Sequence, residues 1–248
     1  MLTDFDADQN SAVILARLAT VLDPELDESI VELGFIHALR VYDRQAYVTL
    51  ELPTSWCAMN FAFIMAEDVR KSLLTLDGIE RVTVRLGDHC AAAEIEAAVN
   101  DGKPFSAVFP SEGGVGLTTL RITFLRKGFL VRQERLLHGL RKSGRSPDEI
   151  SALCVSDGLR EPGDEVVHRY LERRAELGMD CSPAAPLVVD QSGASVPAEQ
   201  LDAYYQQIRT VRVSMEANGA FCRAVLAKRA ASNQPSTTTN RGNAHVQS

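Results

Sequence analysis

The side chains with the most chemical reach lie between Asp23 and Cys57: Asp23-Pro24-Glu25, then Ser29-Ile-Val-Glu-Leu-Gly-Phe-Ile36, then Leu52-Pro-Thr-Ser-Trp-Cys57. The segment reads as a helix end, a carboxylate-bearing turn, a two-stranded hairpin, and a cysteine where strand gives way to helix. A thiol in the first turn of a helix meets unpaired backbone N–H groups and the positive end of the macrodipole. Both favour thiolate, the form that attacks carbon or binds metal. Thr54 or Ser55 is placed to cap that helix with its hydroxyl. Each residue has a plainer alternative. Cys57 could be a packed structural cysteine, and Asp23 and Glu25 could serve only the turn.

The elements that must position these residues follow from periodicity. Ile14, Leu15, Leu18, Val21 and Leu22 recur at helical spacing, and Pro24 stops that helix. A strand over about 35–42 turns at Asp43-Arg44-Gln45 into a second strand. There Ala46, Val48, Leu50 and Leu52 face one way and Tyr47, Thr49 and Glu51 the other. A helix after Cys57 carries Ala62, Met65, Ala66, Val69 and Leu73 on one face. Past the Asp77-Gly78 turn, Val82, Val84 and Leu86 alternate with Arg81, Thr83 and Arg85. The predicted fold is α+β: a small α-β-β-α-β domain with helices on one sheet face, followed by a mostly helical domain.

Composition limits the class. The 248 residues are 45% hydrophobic and 24% charged, ordinary for a globular protein. No apolar run approaches the ~20 residues that span a bilayer. The acidic start, Met1-Leu-Thr-Asp-Phe-Asp-Ala-Asp8, lacks the regions of a signal peptide. Five widely spaced cysteines do not form a disulfide framework. A cytoplasmic protein with reduced thiols is expected. The net charge of −7 is unevenly spread. Residues 1–112 hold 19 acidic and 8 basic side chains, and residues 113–248 hold 14 and 18. That contrast suggests two units: a domain over 1–100, a Gly/Pro-punctuated linker over 101–119, a helical domain over 120–231, and a disordered polar tail over 232–248.

Taken together, Asp23-Pro24-Glu25, Ser29-Ile-Val-Glu-Leu-Gly34, Thr54-x-x-Cys57 and the order of elements resemble the metal–sulfur (iron–sulfur) cluster assembly family, with its SufT- and PaaD-like domain, over about residues 10–95. The resemblance implies a compact α+β domain that assembles or delivers iron–sulfur clusters. The family's reactive cysteine falls at Cys57 and its acidic turn residue at Asp23. Trp56 and Ala58 depart from the family's usual small-residue and Cys-Pro pattern. Gly87-Asp88-His89-Cys90 stands where the family commonly closes near a tryptophan.

A cluster generally takes four protein ligands, most often thiolates. Within this domain one chain offers Cys57 and Cys90, with His89 as a substitute ligand, so a twofold homodimer would complete a shared site. Alternatively, Cys90 merely ends a strand and His89 is a solvated loop residue. No Cys-x-x-Cys or His-Glu-x-x-His motif marks a closed zinc site. Iron or a transient iron–sulfur cluster is the expected cargo, and Asp23, Glu25 and Thr54 are the expected supporting residues. A client metalloenzyme or other cluster-assembly proteins are the expected partners. A bacterial metal-dependent oxygenase as client is implied by the resemblance alone. Two other classes stay open: a docking adaptor or chaperone that binds no metal, and a thiol enzyme with Cys57 as nucleophile and His37 or His89 as base.

The second half reads as helical and carries no resemblance. Ile122, Leu125, Phe129, Leu136 and Leu140 mark a long helix. Ser146-Pro147-Asp148-Glu149 is a capping box. Val166, Val167, Tyr170, Leu171 and Leu177 mark a further helix, ended by Gly178. The longest runs over about 197–230, with Cys222 on its apolar stripe as a packed thiol. Cys154, Cys181 and Cys222 could form a metal site, although their spacing gives no ligand pair. From Arg121 to Arg145 eight basic residues face one acidic one, Glu134. A solvated face is the first reading, an acidic protein partner the second, and nucleic acid the third.

Overall fold

The structure, a computed structural model, describes residues 9–110, 116–160 and 164–232. Helix α1 (Gln9–Leu18) leads into two short paired strands, β1 (Leu22–Asp23) and β2 (Glu28–Ser29), which close the turn carrying Pro24 and Glu25. Strands β3 (Ile36–Tyr42) and β4 (Gln45–Leu50) form an antiparallel hairpin. Asp43 and Arg44 both take positive φ, 47° and 61°, as a two-residue primed turn requires. Helix α2 (Met59–Leu73) crosses over to β5 (Arg81–Leu86), which pairs parallel to β4. The predicted α+β order is therefore present, and each expected inward residue of β4, β5 and α2 is buried.

A helix that the periodicity did not reveal follows. Helix α3 (Ala92–Asp101) packs against α2 and β5. It also closes the outer edge of β5. The Asn100 amide accepts from Val84 N–H (2.8 Å) and donates to Val84 C=O (3.0 Å), and Glu96 accepts from Leu86 N–H (2.8 Å). A side chain thus stands in for a neighbouring strand, so that edge cannot template another chain. The short helix α4 (Phe105–Val108), placed by sequence in the linker, buries Phe105 against Phe63 with centroids 5.3 Å apart.

The second half holds α5 (Leu117–Lys142), α6 (Pro147–Ser151), α7 (Val155–Gly158), α8 (Asp164–Glu176) and α9 (Ala198–Ser232). Ser146 and Glu149 form the reciprocal capping box that opens α6. The core is built from Phe129, Leu137, Leu140, Ile150, Tyr170, Leu187, Leu201 and Ile208. Helix α9 would extend about 50 Å, long enough to serve both halves. Its first turns enter the second core, whereas Cys222 and Leu226 pack against the first. The tail over 233–248 lies outside the described residues. Among the described residues, no helix is long and apolar enough to cross a membrane.

Four arginines of the basic helix spend their charge on partners within the molecule. Arg121 grips Glu67 (2.9 Å) and Asp68 (2.7 Å) of α2, Arg135 meets Glu216 (3.7 Å), and Arg141 meets Asp202 (2.5 Å). Arg132 reaches Asp27 at 2.6 Å. Asp27 is also held by Arg173 of α8 at 2.6 Å, and its own side chain is 5% exposed. Gly128 makes this possible, because a Cβ there would stand 2.9 Å from the Asp27 carboxylate.

Removing the Asp27 charge takes the shared buried acid from two nearly buried guanidiniums and leaves them only the exposed Glu172 and Glu176. Weakening a buried pair costs far more than an exposed pair contributes. Asparagine tolerates the left-handed backbone of Asp27, φ 54°. Asp27→Asn should therefore lose about 3 kcal/mol in urea unfolding. Gly128→Ala should destabilise through the same contact, and either variant at wild-type stability would remove Asp27 as the joint between the halves.

Candidate functional site

Strand β4 ends at Leu50, and the chain runs extended through Leu52 and Pro53 into a tight turn closed by Cys57 N–H on Thr54 C=O (3.3 Å). Only after this turn does α2 begin, with Ala58 as its N-cap and no side-chain cap. The sequence reading that Thr54 or Ser55 caps the helix and that Cys57 lies in its first turn is thereby corrected. The intervening turn leaves both hydroxyls too early in the chain to reach the free N–H groups.

The expected thiolate is corrected as well. Cys57 is half-buried and packed against the first core. Burial pushes its pKa up to about 12, and the electrostatic influence of Asp23, Cys222 and Glu25 adds to the rise. The Ala58 N–H works in the opposite direction, as a helix start should, but burial outweighs it. At neutral pH the resting group is a thiol.

Asp23 is 6% exposed and lies at the mouth of its turn. One of its oxygens accepts from Glu25 N–H (2.8 Å) and Leu26 N–H (2.9 Å), and Asp27 N–H closes the turn on Asp23 C=O (2.9 Å). Burial still raises its pKa to about 6 against those two hydrogen bonds. Glu25 is half-buried beside it, and its carboxylate raises the pKa of both Asp23 and Cys57.

His89 and Cys90 sit in the loop after β5, which is laced to the Cys57 loop. Cys90 N–H donates to Ser55 C=O (2.9 Å), and His89 Nε2 donates to Cys57 C=O (2.9 Å). His89 Nδ1 accepts from Ala91 N–H (3.2 Å). Because a carbonyl can only accept and an amide N–H only donate, these two bonds fix the neutral Nε2–H tautomer and occupy both ring nitrogens. His89 is 8% exposed, not solvated, and acts as a clamp on the Cys57 carbonyl. As the chain stands it has no nitrogen left for metal. Cys90 is exposed.

Sequence reasoning read Cys222 as a packed thiol, and it does pack against the first core. It missed that Cys222 comes near enough to Cys57, 165 positions away in the chain, to act on its ionisation. The Cys222 pKa is raised by burial first, then by the charges of Asp23 and Glu25. Cys154 and Cys181 are engaged elsewhere. Cys154 donates to Asp157 (2.9 Å), and Cys181 lies 3.5 Å from Met179 C=O. Among the described residues, no three His, Cys, Asp or Glu side chains are gathered closely enough to hold a metal ion. A cleft of about 1070 Å³ between the halves is lined by Asp23, Asp27, Arg121, Arg132 and Arg173, and Cys57 is not in its wall.

The raised Asp23 pKa has a definite sign. Between about pH 4 and 6 the folded protein keeps a proton that the unfolded chain has released. Stability should therefore fall as pH rises through that window, by up to about 3 kcal/mol. Asp23→Asn preserves the turn's acceptor and should flatten this dependence in unfolding experiments run at successive pH values. An unchanged slope would place Asp23 outside a buried setting.

Comparison with known proteins agrees with these motifs. Residues 11–86 match the model of a family described as iron–sulfur cluster assembly protein. An iron–sulfur cluster carrier protein of Synechocystis sp. is 32% identical over 112 residues, which cover 44% of this chain and 31% of that protein. An iron–sulfur cluster carrier protein of Deinococcus radiodurans is 31% identical over 109 residues, 44% of this chain and 30% of that protein. The chain thus spans less than a third of the length of these curated relatives. The fold around Asp23 and Cys57 and the match over the same stretch agree: residues 11–86 are similar to the family described as iron–sulfur cluster assembly protein.

Proposed function

We propose that this protein is an iron–sulfur cluster assembly or carrier factor in which Cys57 takes up iron or a transient cluster and passes it to a client metalloenzyme. One observation carries the reading. Within the matched domain, a half-buried thiol at a strand-to-helix junction has a buried carboxylate, Asp23, and a second thiol, Cys222, near enough to act on its ionisation. A metal ligand must be deprotonated, so cargo binding displaces the Cys57 proton. A site whose resting thiol is neutral charges only when the metal arrives, and it gives the cargo up as a proton returns.

One chain brings few ligands. Cys57 and the exposed Cys90 lie on loops tied together by the Cys90–Ser55 and His89–Cys57 hydrogen bonds. A second copy related by a twofold axis would supply another pair, and Cys57 and Cys90 from each would then make four thiolates. His89, Asp23, Glu25 and Thr54 shape the loops around them. The division into a domain over 1–100, a linker over 101–119 and a client-binding helical domain over 120–231 belongs to the same proposal.

The other two classes have less support. An adaptor docking through the basic helix would have only part of its charge to offer. Arg121, Arg132, Arg135 and Arg141 already hold Glu67, Asp68, Asp27, Glu216 and Asp202, which leaves Arg126, Lys127 and Lys142 exposed. A thiol enzyme would need a base at Cys57. His89 is committed at both nitrogens, and His37 is paired with Glu51 at 2.9 Å.

Anaerobic reconstitution with iron and sulfide tests the reading. Wild-type protein should gain visible absorption and bound iron, Cys57→Ser should lose both, and Cys90→Ser should lose part. Loading should rise with pH between about 7 and 9, by up to about tenfold per unit for each thiol that must ionise. Equal loading of wild type and Cys57→Ser would end the proposal. Client capture that survives Cys57→Ser would instead favour the adaptor.

A further inference from the structure

The last turns of α9 leave the second core and lie across the loops of the first domain. Arg223 pairs with Glu28 of β2. Gly219 fits beside the same glutamate, where an added Cβ would stand 3.3 Å from Oε1. Leu226 reaches Gly34, whose φ of +77° turns the chain away; a Cβ on Gly34 would lie 3.6 Å from the leucine methyl. Arg229 then donates to Leu52 C=O (3.0 Å), meets Asp88 (2.5 Å) and approaches Glu51 (3.3 Å). Leu52 opens the loop that carries Cys57, and Asp88 belongs to the loop that clamps it. Cys222, just before the first arginine contact, and Leu226, between the two, pack on the core that Cys57 also touches.

We propose that the C-terminal part of α9 is a releasable strap that shields Cys57 until it is lifted. The seat is built for release. Two partly exposed arginine ion-pair groups and the Leu226 and Cys222 side chains do most of the holding, whereas the first turns of α9 are anchored by Leu201, Tyr205 and Ile208 in the second core. Ion pairs that solvent reaches, as Glu28–Arg223 and Asp88–Arg229 are, stay weak and salt-sensitive, and a helix end held mainly by such pairs opens locally without unfolding the domain. The burial of Cys57 and the influence of Cys222 on it are what a seated strap produces. Its purpose as a gate rests on the carrier reading of Cys57, but its existence does not.

Alkylation of the full chain by iodoacetamide, followed residue by residue with peptide mass spectrometry, tests the strap. In Arg223→Ala/Arg229→Ala, Cys57 should react about tenfold faster than in wild type, while Cys154 and Cys181 keep their rates. A folded double variant with an unchanged Cys57 rate overturns the proposal. Should that variant misfold, wild-type protein decides. Raising NaCl from about 0.05 to 0.5 M should speed Cys57 relative to Cys181, and no such acceleration also overturns it. Faster labelling of a Cys57 that holds no iron would leave the strap standing and remove the carrier function. Iron loading with unaltered labelling would do the reverse.

Discussion

Asp27 is a single carboxylate at the end of a five-residue turn, and the arrangement of the two halves depends on its charge. Its left-handed backbone points the side chain out of the first domain and between Arg132 and Arg173, which are themselves nearly buried. Glu172 lies 3.1 Å from Arg132, and Glu176 pairs with Arg173, so the guanidiniums are not left with one acid between them. A buried charge cluster stabilises little by comparison with a hydrophobic one, yet it is costly to break, because separation strands charge in a poorly solvated place. The halves are therefore joined in one register rather than greased together. That register fixes α5 and α8, α5 with α6 holds α9, and the far end of α9 then falls on the loops around Cys57.

The same turn faces two ways. Asp27 looks toward α5 and α8, while four residues earlier Asp23 looks inward, accepts the turn's own N–H groups, and acts on Cys57. The motif that resembles a metal-handling turn is thus also the hinge through which the helical half is attached. The uneven charge of the two halves has a matching explanation. An acidic first domain and a basic α5 read separately as surfaces awaiting partners, and they are substantially each other's partner through Glu67, Asp68 and Asp27.

Much of this was legible in the sequence where one element decides its own fate. Alternation in β4 and β5, the apolar face of α2, the Ser146 capping box and the Gly178 stop, φ 73°, each follow from local chemistry. What local chemistry could not show depends on distance in the chain. Helix α3 is rich in alanine, so only Ile95, Ala98 and Val99 betray its buried face, and its real role is to offer Asn100 and Glu96 to β5. The paired strands β1 and β2 are two residues each, too short to alternate. At Cys57 the residue type and its place before a helix were readable. Its ionisation was not, because burial and Cys222 both come from the tertiary fold.

A neutral Cys57 changes what chemistry the site suits. A thiolate held permanently at an open helix start would be nucleophilic and prone to oxidation. A thiol kept protonated by its surroundings is protected from both, and becomes a ligand only when a cation repays the cost of its ionisation. Binding of that kind is conditional on the local dielectric, so anything that wets the site lowers the barrier to loading. Asp23 reinforces the condition. Its pKa of about 6 leaves it largely ionised at neutral pH, where its charge opposes a free thiolate but favours a thiolate neutralised by bound iron. If Cys57 takes up iron as proposed, the carboxylate that makes the empty site reluctant is then the one that steadies the loaded site. Under the proposed carrier function, that asymmetry between empty and loaded states would suit a site that takes up a metal cargo and gives it back.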